Sequence, residues 1–194
     1  MAPVGSWESL AAALAAGADA VYFGIEGLNM RSRSSANFTA DDMARIAGIC
    51  AEKGVRTYLT VNTVIYDNDM ETMRMIISRA RQAGISAIIA SDMAAIMYAR
   101  EIGQEVHIST QVNVSNTEAV RFYSQFADVM VLARELNMEQ VAEIHHAIEK
   151  ENICGPNGEK IRLEMFCHGA LCMAVSGKCY MSLHEMNSSA NRGA

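Results

Sequence analysis

Hydrophobic positions along the chain follow two alternating rhythms. Short apolar runs recur at Ala20–Gly24 (AVYFG), Arg56–Asn62 (RTYLTVN), Ala87–Ser91 (AIIAS), Val106–Thr110 (VHIST), Val129–Ala133 (VMVLA) and Ile161–Phe166 (IRLEMF). They are rich in Val, Ile and aromatics and mostly apolar on both faces, as strands buried in a parallel sheet are. Met1–Val4 reads as the tail of a first strand. Between these runs the period lengthens to that of amphipathic helices: Ser6–Ala16, Thr39–Lys53, Asn68–Ala83, Asp92–Glu101, Thr117–Phe126 and Asn137–Lys150. Start and stop signals agree. Ser6 is an N-cap, the TADD opening at Thr39 places acids where the helix dipole favours them, and Gly17, Gly54, Gly84 and Gly103 follow helix ends. The fourteen methionines fall mostly on helices and read as core filler. Cys50 reads as a core residue. The turn cluster Asn152–Lys160 (NICGPNGEK) links the sixth helix to the seventh strand, with Cys154 an incidental loop thiol.

Strand and helix alternate without hairpin signals, which predicts an α/β fold with a parallel sheet. Seven strand candidates stand in seven successive units. An eight-unit (β/α) barrel takes about 200 residues or more, and the 194 residues here stop one unit short. The expectation is a TIM-like (β/α) barrel, incomplete at its closing strand, as a single domain over residues 1–194. Residues 166–194 form its cysteine-rich segment. A doubly wound sheet is the structural alternative. No G-x-G-x-x-G follows the first strand, which weighs against a dinucleotide-binding version of it.

Composition narrows the class. The chain is 51% hydrophobic and 20% charged, with a mean hydropathy of +0.07, values of a globular protein. No apolar run reaches the ~18–20 residues of a membrane span, and the start, MAPVGSWESL, lacks the basic and apolar regions of a signal peptide. The expected location is the cytoplasm, with no membrane partner. Thiols stay reduced there, so clustered cysteines point to metal or catalysis. A formal net charge of −6 disfavours nucleic-acid binding by bulk charge, and leaves room for a local basic groove.

Barrel enzymes work at the carboxyl ends of their strands. The residues there are Asn29, Arg31 and Asn37 after the second strand, and Asn62 and Thr63 after the third. Ser91 and Asp92 follow the fourth. Ser109, Thr110, Gln111 and Asn113 follow the fifth. Arg134 and Glu135 follow the sixth, and His168 follows the seventh. Singly each has a plainer reading: Asn62 as a turn residue, Asp92 as a helix cap, Arg134 and Glu135 as a surface pair. Gathered at one mouth, they suit a small polar ligand bearing carbonyl, carboxylate or phosphate groups. His107 lies inside a strand and reads as a core histidine. No H-E-x-x-H motif and no Ser-His-Asp order is visible.

The segment Phe166–Tyr180, FCHGALCMAVSGKCY, holds three of the five cysteines. The spacing C-x4-C-x6-C, from Cys167 through Cys172 to Cys179, does not match the paired knuckles of zinc ribbons. It suits an iron–sulfur cluster better, although three thiolates do not complete one. Buried or reactive thiols are the alternative.

The block EMFCHGALCMAVSGKCYMSLHE closely resembles the signature of the collagenase-like peptidase family, peptidase family U32. GADAVYFG, the asparagine of LTVNT, STQVNVSN and LAREL also match, so the resemblance covers nearly all of the chain. It implies an α/β barrel followed by a further region, and a peptidase label without agreed proteolytic residues. It also implies a four-iron, four-sulfur (4Fe-4S) cluster and hydroxylation chemistry on RNA bases or quinone precursors, with prephenate the donor for RNA. LARELNMEQVAEIH and SSANRGA look most like the branch that acts on ribosomal RNA. The family's cluster cysteines match Cys172 and Cys179. Cys167 stands where relatives often carry valine or isoleucine, so it ranks as a neighbour of the cluster. Further ligands are expected beyond Ala194, and RNA contacts through the same missing part. The resemblance thus favours an iron–sulfur RNA-hydroxylating enzyme. Peptide hydrolysis, or a non-catalytic binding subunit, is the alternative.

Overall fold

The computed structural model of the chain describes residues 1–26, 38–169, 172, 174–180, 184 and 189. Seven strands run β1 (Ala2–Pro3), β2 (Ala20–Phe23), β3 (Arg56–Val61), β4 (Ala87–Ala90), β5 (Val106–Ile108), β6 (Val129–Val131) and β7 (Arg162–Glu164). Six helices lie between them: α1 (Trp7–Ala15), α2 (Asp42–Glu52), α3 (Met70–Gln82), α4 (Met93–Glu101), α5 (Thr117–Tyr123) and α6 (Met138–Glu151). The strands pair in sequence order, and every pairing is parallel. The sheet curls into a partial (β/α) barrel with the helices outside it.

Alternation along each strand separates two layers. Val21 and Phe23, Leu59 and Val61, Ile88 and Ala90, Val106 and Ile108, and Met130 belong to the main core under the helices. That core also takes Met43, Ile46 and Cys50 from α2, Met73 and Ile77 from α3, and Ile96 from α4. The opposite faces of the same strands make a smaller inner cluster of Ala20, Tyr58, Ala87 and Ile89, with Tyr22 against it. This is the physical content of strands apolar on both faces: one side meets helices, the other meets the interior of the curl.

Local chemistry sets the helix ends. Ser6 caps α1 reciprocally with Ser9, and Asn137 does the same for α6 with Gln140. Gly84 takes φ +79° after α3, the left-handed conformation that glycine adopts without strain. Helix α2 differs from the sequence expectation. The Asp42 carboxylate accepts from both the amide and the hydroxyl of Thr39 at 2.8 Å. Residues 39–41 therefore form a turn, and the helix starts at Asp42. The Asn152–Lys160 turn does join α6 to β7, pinned by buried Asp128, which accepts from the Asn157 backbone and side chain at 3.1 and 2.9 Å.

The methionines correct the expectation of core filler. Met43 and Met73 are buried, but Met75, Met97 and Met138 are 50%, 51% and 64% exposed. Position on the helix decides, not residue type. Among the described residues no helix is long and apolar enough to cross a membrane.

Ile88 is fully buried between strand and helix layers. Ile88→Ala is expected to cost about 3 kcal/mol through lost burial and an unfilled cavity. Urea denaturation, with an unchanged m-value, checks this.

Candidate functional site

Because every strand runs the same way, the loops after β3 to β7 meet at one end of the curl. A cavity of about 80 Å³ opens there, lined by Met1, Tyr22, Thr60, Asn62, Ile89, Ser109, Thr110, Val131, Glu164, Met165 and Phe166. Hydrogen bonds fix its rim. Thr60 Oγ1 donates to Phe23 O at 3.1 Å, Ser91 Oγ to Asn62 O at 2.9 Å and Thr110 Oγ1 to Leu132 O at 3.2 Å. Asp92 caps α4 through Ala94 N at 2.9 Å, and its other oxygen accepts from Ile65 N at 3.0 Å.

A broader hollow of about 640 Å³ lies at the opposite end of the strands, beside Gly84–Ser86, Gly103–Val106 and Asp128. Its arginines are already engaged: Arg81 donates to Gly103 O and Arg100 to Gln125 O. Barrel chemistry sits at the carboxyl ends of strands, so the smaller cavity is the candidate site.

The cysteine segment returns over this mouth and is clamped to it. Ser176 is fully buried. Its amide donates to Glu135 Oε1 at 2.7 Å, and its hydroxyl reaches the same oxygen at 3.1 Å. Arg134 donates to Ser176 Oγ from its backbone amide and from Nε, both at 3.3 Å, and from Nη2 to Ala174 O at 3.3 Å. Thr110 Oγ1 lies 3.4 Å from Ser176 Oγ. A tight turn follows, with Lys178 N donating to Val175 O at 2.9 Å. Gly177 turns there with φ +75°, and a Cβ on it would stand 2.0 Å from Gln111 O. The loop therefore rests against the Thr110–Val112 turn with no room for a side chain.

Two pKa shifts follow from this clamp. Burial would raise the Glu135 pKa, but the Ser176 amide and hydroxyl outweigh it and hold the carboxyl below its usual range. The Cys172 thiol is also held below its usual range, by hydrogen bonding to Arg134 and then to the Ala174 backbone, against the opposing charge of Glu135. A thiol that deprotonates readily is a better metal ligand. Burial alone pushes the Cys50 thiol up, consistent with an inert core residue.

The residues singled out from sequence divide clearly. Asn62 and Ser109 line the cavity. Gln111 and Asn113 belong to the turn below the loop, with Asn113 capping it at φ 59°. Arg134 and Glu135 are no plain surface pair; together they hold the loop. Cys167, His168 and Cys172 are exposed, Cys179 is half-buried, and His168 does not line the cavity. Arg31, Asn29 and Asn37 lie outside the described residues. Among the described residues no three His, Cys, Asp or Glu side chains gather as a metal site. Gly177 was legible in the sequence as a residue that lets the cysteine segment wrap tightly. Sequence reasoning missed Ser176, Tyr22, Thr60 and Glu164, none of which carries a local signal.

Gly177→Ala is expected to destabilise the loop by at least about 1 kcal/mol, from the left-handed backbone alone. Faster hydrogen exchange at the Ser176 and Lys178 amides is the readout. Glu135 has a depressed pKa, so its contribution is fully present above the ordinary carboxylate range and is lost as pH falls through its lower folded value. Exchange at the Ser176 amide, corrected for intrinsic rate, is expected to lose protection on going from about pH 6 to about pH 3. Glu135→Gln is expected to remove that dependence.

Comparison with known proteins agrees with this architecture. The family model of peptidase family U32 matches residues 5–194. A Porphyromonas gingivalis protein named "Collagenase" is 71% identical over 194 residues, covering 100% of this chain and 47% of its own length. The Escherichia coli "23S rRNA 5-hydroxycytidine C2501 synthase" is 35% identical over 178 residues, 91% of this chain and 25% of that protein. The chain thus spans about half the length of the first of these relatives and a quarter of the second. The solved structure of the U32 peptidase Mk0906 superposes with a TM-score of 0.63 at 14% identity, over 84% of this chain and 65% of that one, and supports the fold. With its curled parallel sheet and a family match over nearly its whole length, the chain belongs to peptidase family U32.

Proposed function

We propose that the whole protein hydroxylates a base in RNA, with a 4Fe-4S cluster held by Cys172, Cys179 and further thiolates, and prephenate as the donor to supply in an assay. The observation that carries this reading is the cysteine loop clamped over the barrel mouth by Arg134 and Glu135. The residues fit a thiolate-held cluster in kind: one thiol primed to ionise and a second seven residues on in the same loop. The remaining ligands would come from outside the described residues. Once bound, the cluster supplies thiolate-ligated iron for electron transfer.

The chain's own residues have defined parts in this reading. Arg134 lowers the Cys172 pKa and so favours its thiolate, and Glu135 with Ser176 holds the loop at the mouth. Asn62 and Ser109 present polar groups to a small ligand in the cavity. RNA contact has to be local, since the chain carries a net charge of −6. The E. coli relative, whose name describes hydroxylation of an rRNA cytidine, supports the choice of substrate class.

The 71%-identical relative named "Collagenase" favours a second reading, peptide hydrolysis. Cys167 beside His168 is its natural nucleophile and base. The two are exposed and adjacent in sequence, however, and neighbours in an extended segment aim to opposite sides.

The whole protein purified without oxygen is expected to carry about four iron and four sulfide per chain. Cys172→Ser is expected to lose most of both, together with the visible cluster absorption. Iron-free protein that hydroxylates RNA would overturn the proposal. Gelatin cleavage that survives stringent purification and disappears in Cys167→Ser would establish the second reading.

A further inference from the structure

His107 is the buried member of an ion cluster on the inner face of the curl. It stands on β5 between Val106 and Ile108, which belong to the core under the helices. Its ring centroid lies 4.6 Å from that of Tyr58 on β3. Nε2 is 3.4 Å from Glu105 Oε1, an oxygen that also accepts from Arg162 Nη2 at 3.2 Å. Nδ1 is 3.5 Å from Glu164 Oε1, within reach of charge attraction but not aligned as a hydrogen bond. The side chains of His107, Glu105 and Glu164 are 2%, 36% and 26% exposed, so the carboxylates keep water and the imidazole does not.

These contacts join strands that do not pair. The sheet runs β5, β6, β7 in order, and both His107 to Glu164 and Glu105 to Arg162 pass over β6. The strands on either side add no charge. Val129 of β6 stands in register between His107 and Arg162, Val131 stands beside Glu164, and Ile89 of β4 is level with His107. On β3, burial raises the Tyr58 pKa, so its hydroxyl stays neutral, with Arg56 nearby on the same strand. Among the described residues β7 has three residues and one ladder, to β6. The cluster is its second attachment within the sheet.

The two ties answer differently to pH. Arg162 and Glu105 both stay charged across the neutral range, the Glu105 carboxyl being held below its usual range by His107 and Arg162. His107 and Glu164 form an ion pair only while the imidazole is protonated. Burial would lower the His107 pKa, but Glu105 and Glu164 outweigh it and hold it above the ordinary value. A raised histidine pKa contributes stability that is fully present below the unfolded value and is lost as pH rises through the folded one. Glu164 then keeps no ion-pair partner among the described residues.

Strands β5 and β7 lead to the two sides of the clamp. β5 runs into the Thr110–Val112 turn, and β7 into the segment that carries Ser176 and Gly177. Thr110 Oγ1 lies 3.4 Å from Ser176 Oγ, and Gly177 rests against Gln111 O. The clamp therefore closes between the continuations of the two strands that the cluster joins. We propose that His107 is a proton-operated latch: charged, it fastens edge strand β7 to β5 across β6 and steadies the cysteine loop on the Thr110–Val112 turn; neutral, it frees Glu164 and loosens both. This goes beyond the RNA reading and does not depend on it.

Histidine NMR and hydrogen exchange on the whole protein, between about pH 6 and about pH 9, test the latch. With nitrogen-15 in the imidazoles, the His107 ring, assigned through its contact with Tyr58, is expected to titrate with a midpoint above ~6.5. Over the same interval, peptides covering β7 and Ser176–Lys178 are expected to lose about threefold or more of their protection, corrected for intrinsic rate, while those of α3 keep theirs. Glu164→Gln is expected to remove this pH dependence. His107→Gln is expected to exchange at the high-pH level throughout, with each fold confirmed by its thermal transition. A His107 that stays neutral, or titrates below ~6.5, overturns the proposal. So does protection at β7 that stays flat while His107 titrates, or a loss that persists in Glu164→Gln. The first two outcomes are read on the natural sequence alone, so they decide even where a variant fails to fold.

Discussion

A parallel sheet sends every strand in the same direction, and the rest of this structure depends on that constraint. The residues after each strand have nowhere to go but the same end of the curl. Side chains distant in sequence therefore become neighbours without any local pattern to announce them. The clamp shows this: Arg134 and Ser176 are 42 positions apart, and Glu135 and Ser176 are 41. Their meeting follows from strand direction and from the β6-to-β7 connection, not from any property of the segments alone.

This explains which features were legible in the sequence. All seven strands were readable to within a residue or two, because hydrocarbon on both faces is demanded by a sheet with helices outside and a filled interior inside. Ser6 and Asp92 were readable as helix starts, because capping is chemistry over two or three residues. The start of α2 was not, because Asp42 turns back to bind Thr39 and so displaces the first helical residue. At the mouth, Asn62, Ser109, Arg134 and Glu135 were readable as polar residues in a place where polarity has few other uses. Their partners were not. Ser176 looks like any loop serine until its burial is known, and Glu164 looks like the polar member of an edge strand.

The interior of the curl departs from the usual economy of a core. Tyr58, Ala87 and Ile89 fill one part of it, as expected. Beside them lies a buried histidine flanked by two partly exposed glutamates, where a hydrocarbon filling is often no less stable. Charges kept in such a place require compensation, and here it is incomplete. The sequence contained the histidine in plain view within VHIST. Its neighbours were hidden, because Glu105 precedes the same strand while Glu164 and Arg162 arrive two strands later.

Asp92 holds two segments with one carboxylate: Oδ1 fixes the first turn of α4, and Oδ2 fixes the chain at Ile65, beyond Asn62. These segments cannot shift independently without giving up a bond. The helix that begins at this carboxylate ends at Glu101, with Arg100 beside the hollow at the opposite end of the strands, so one element borders both ends of the curl.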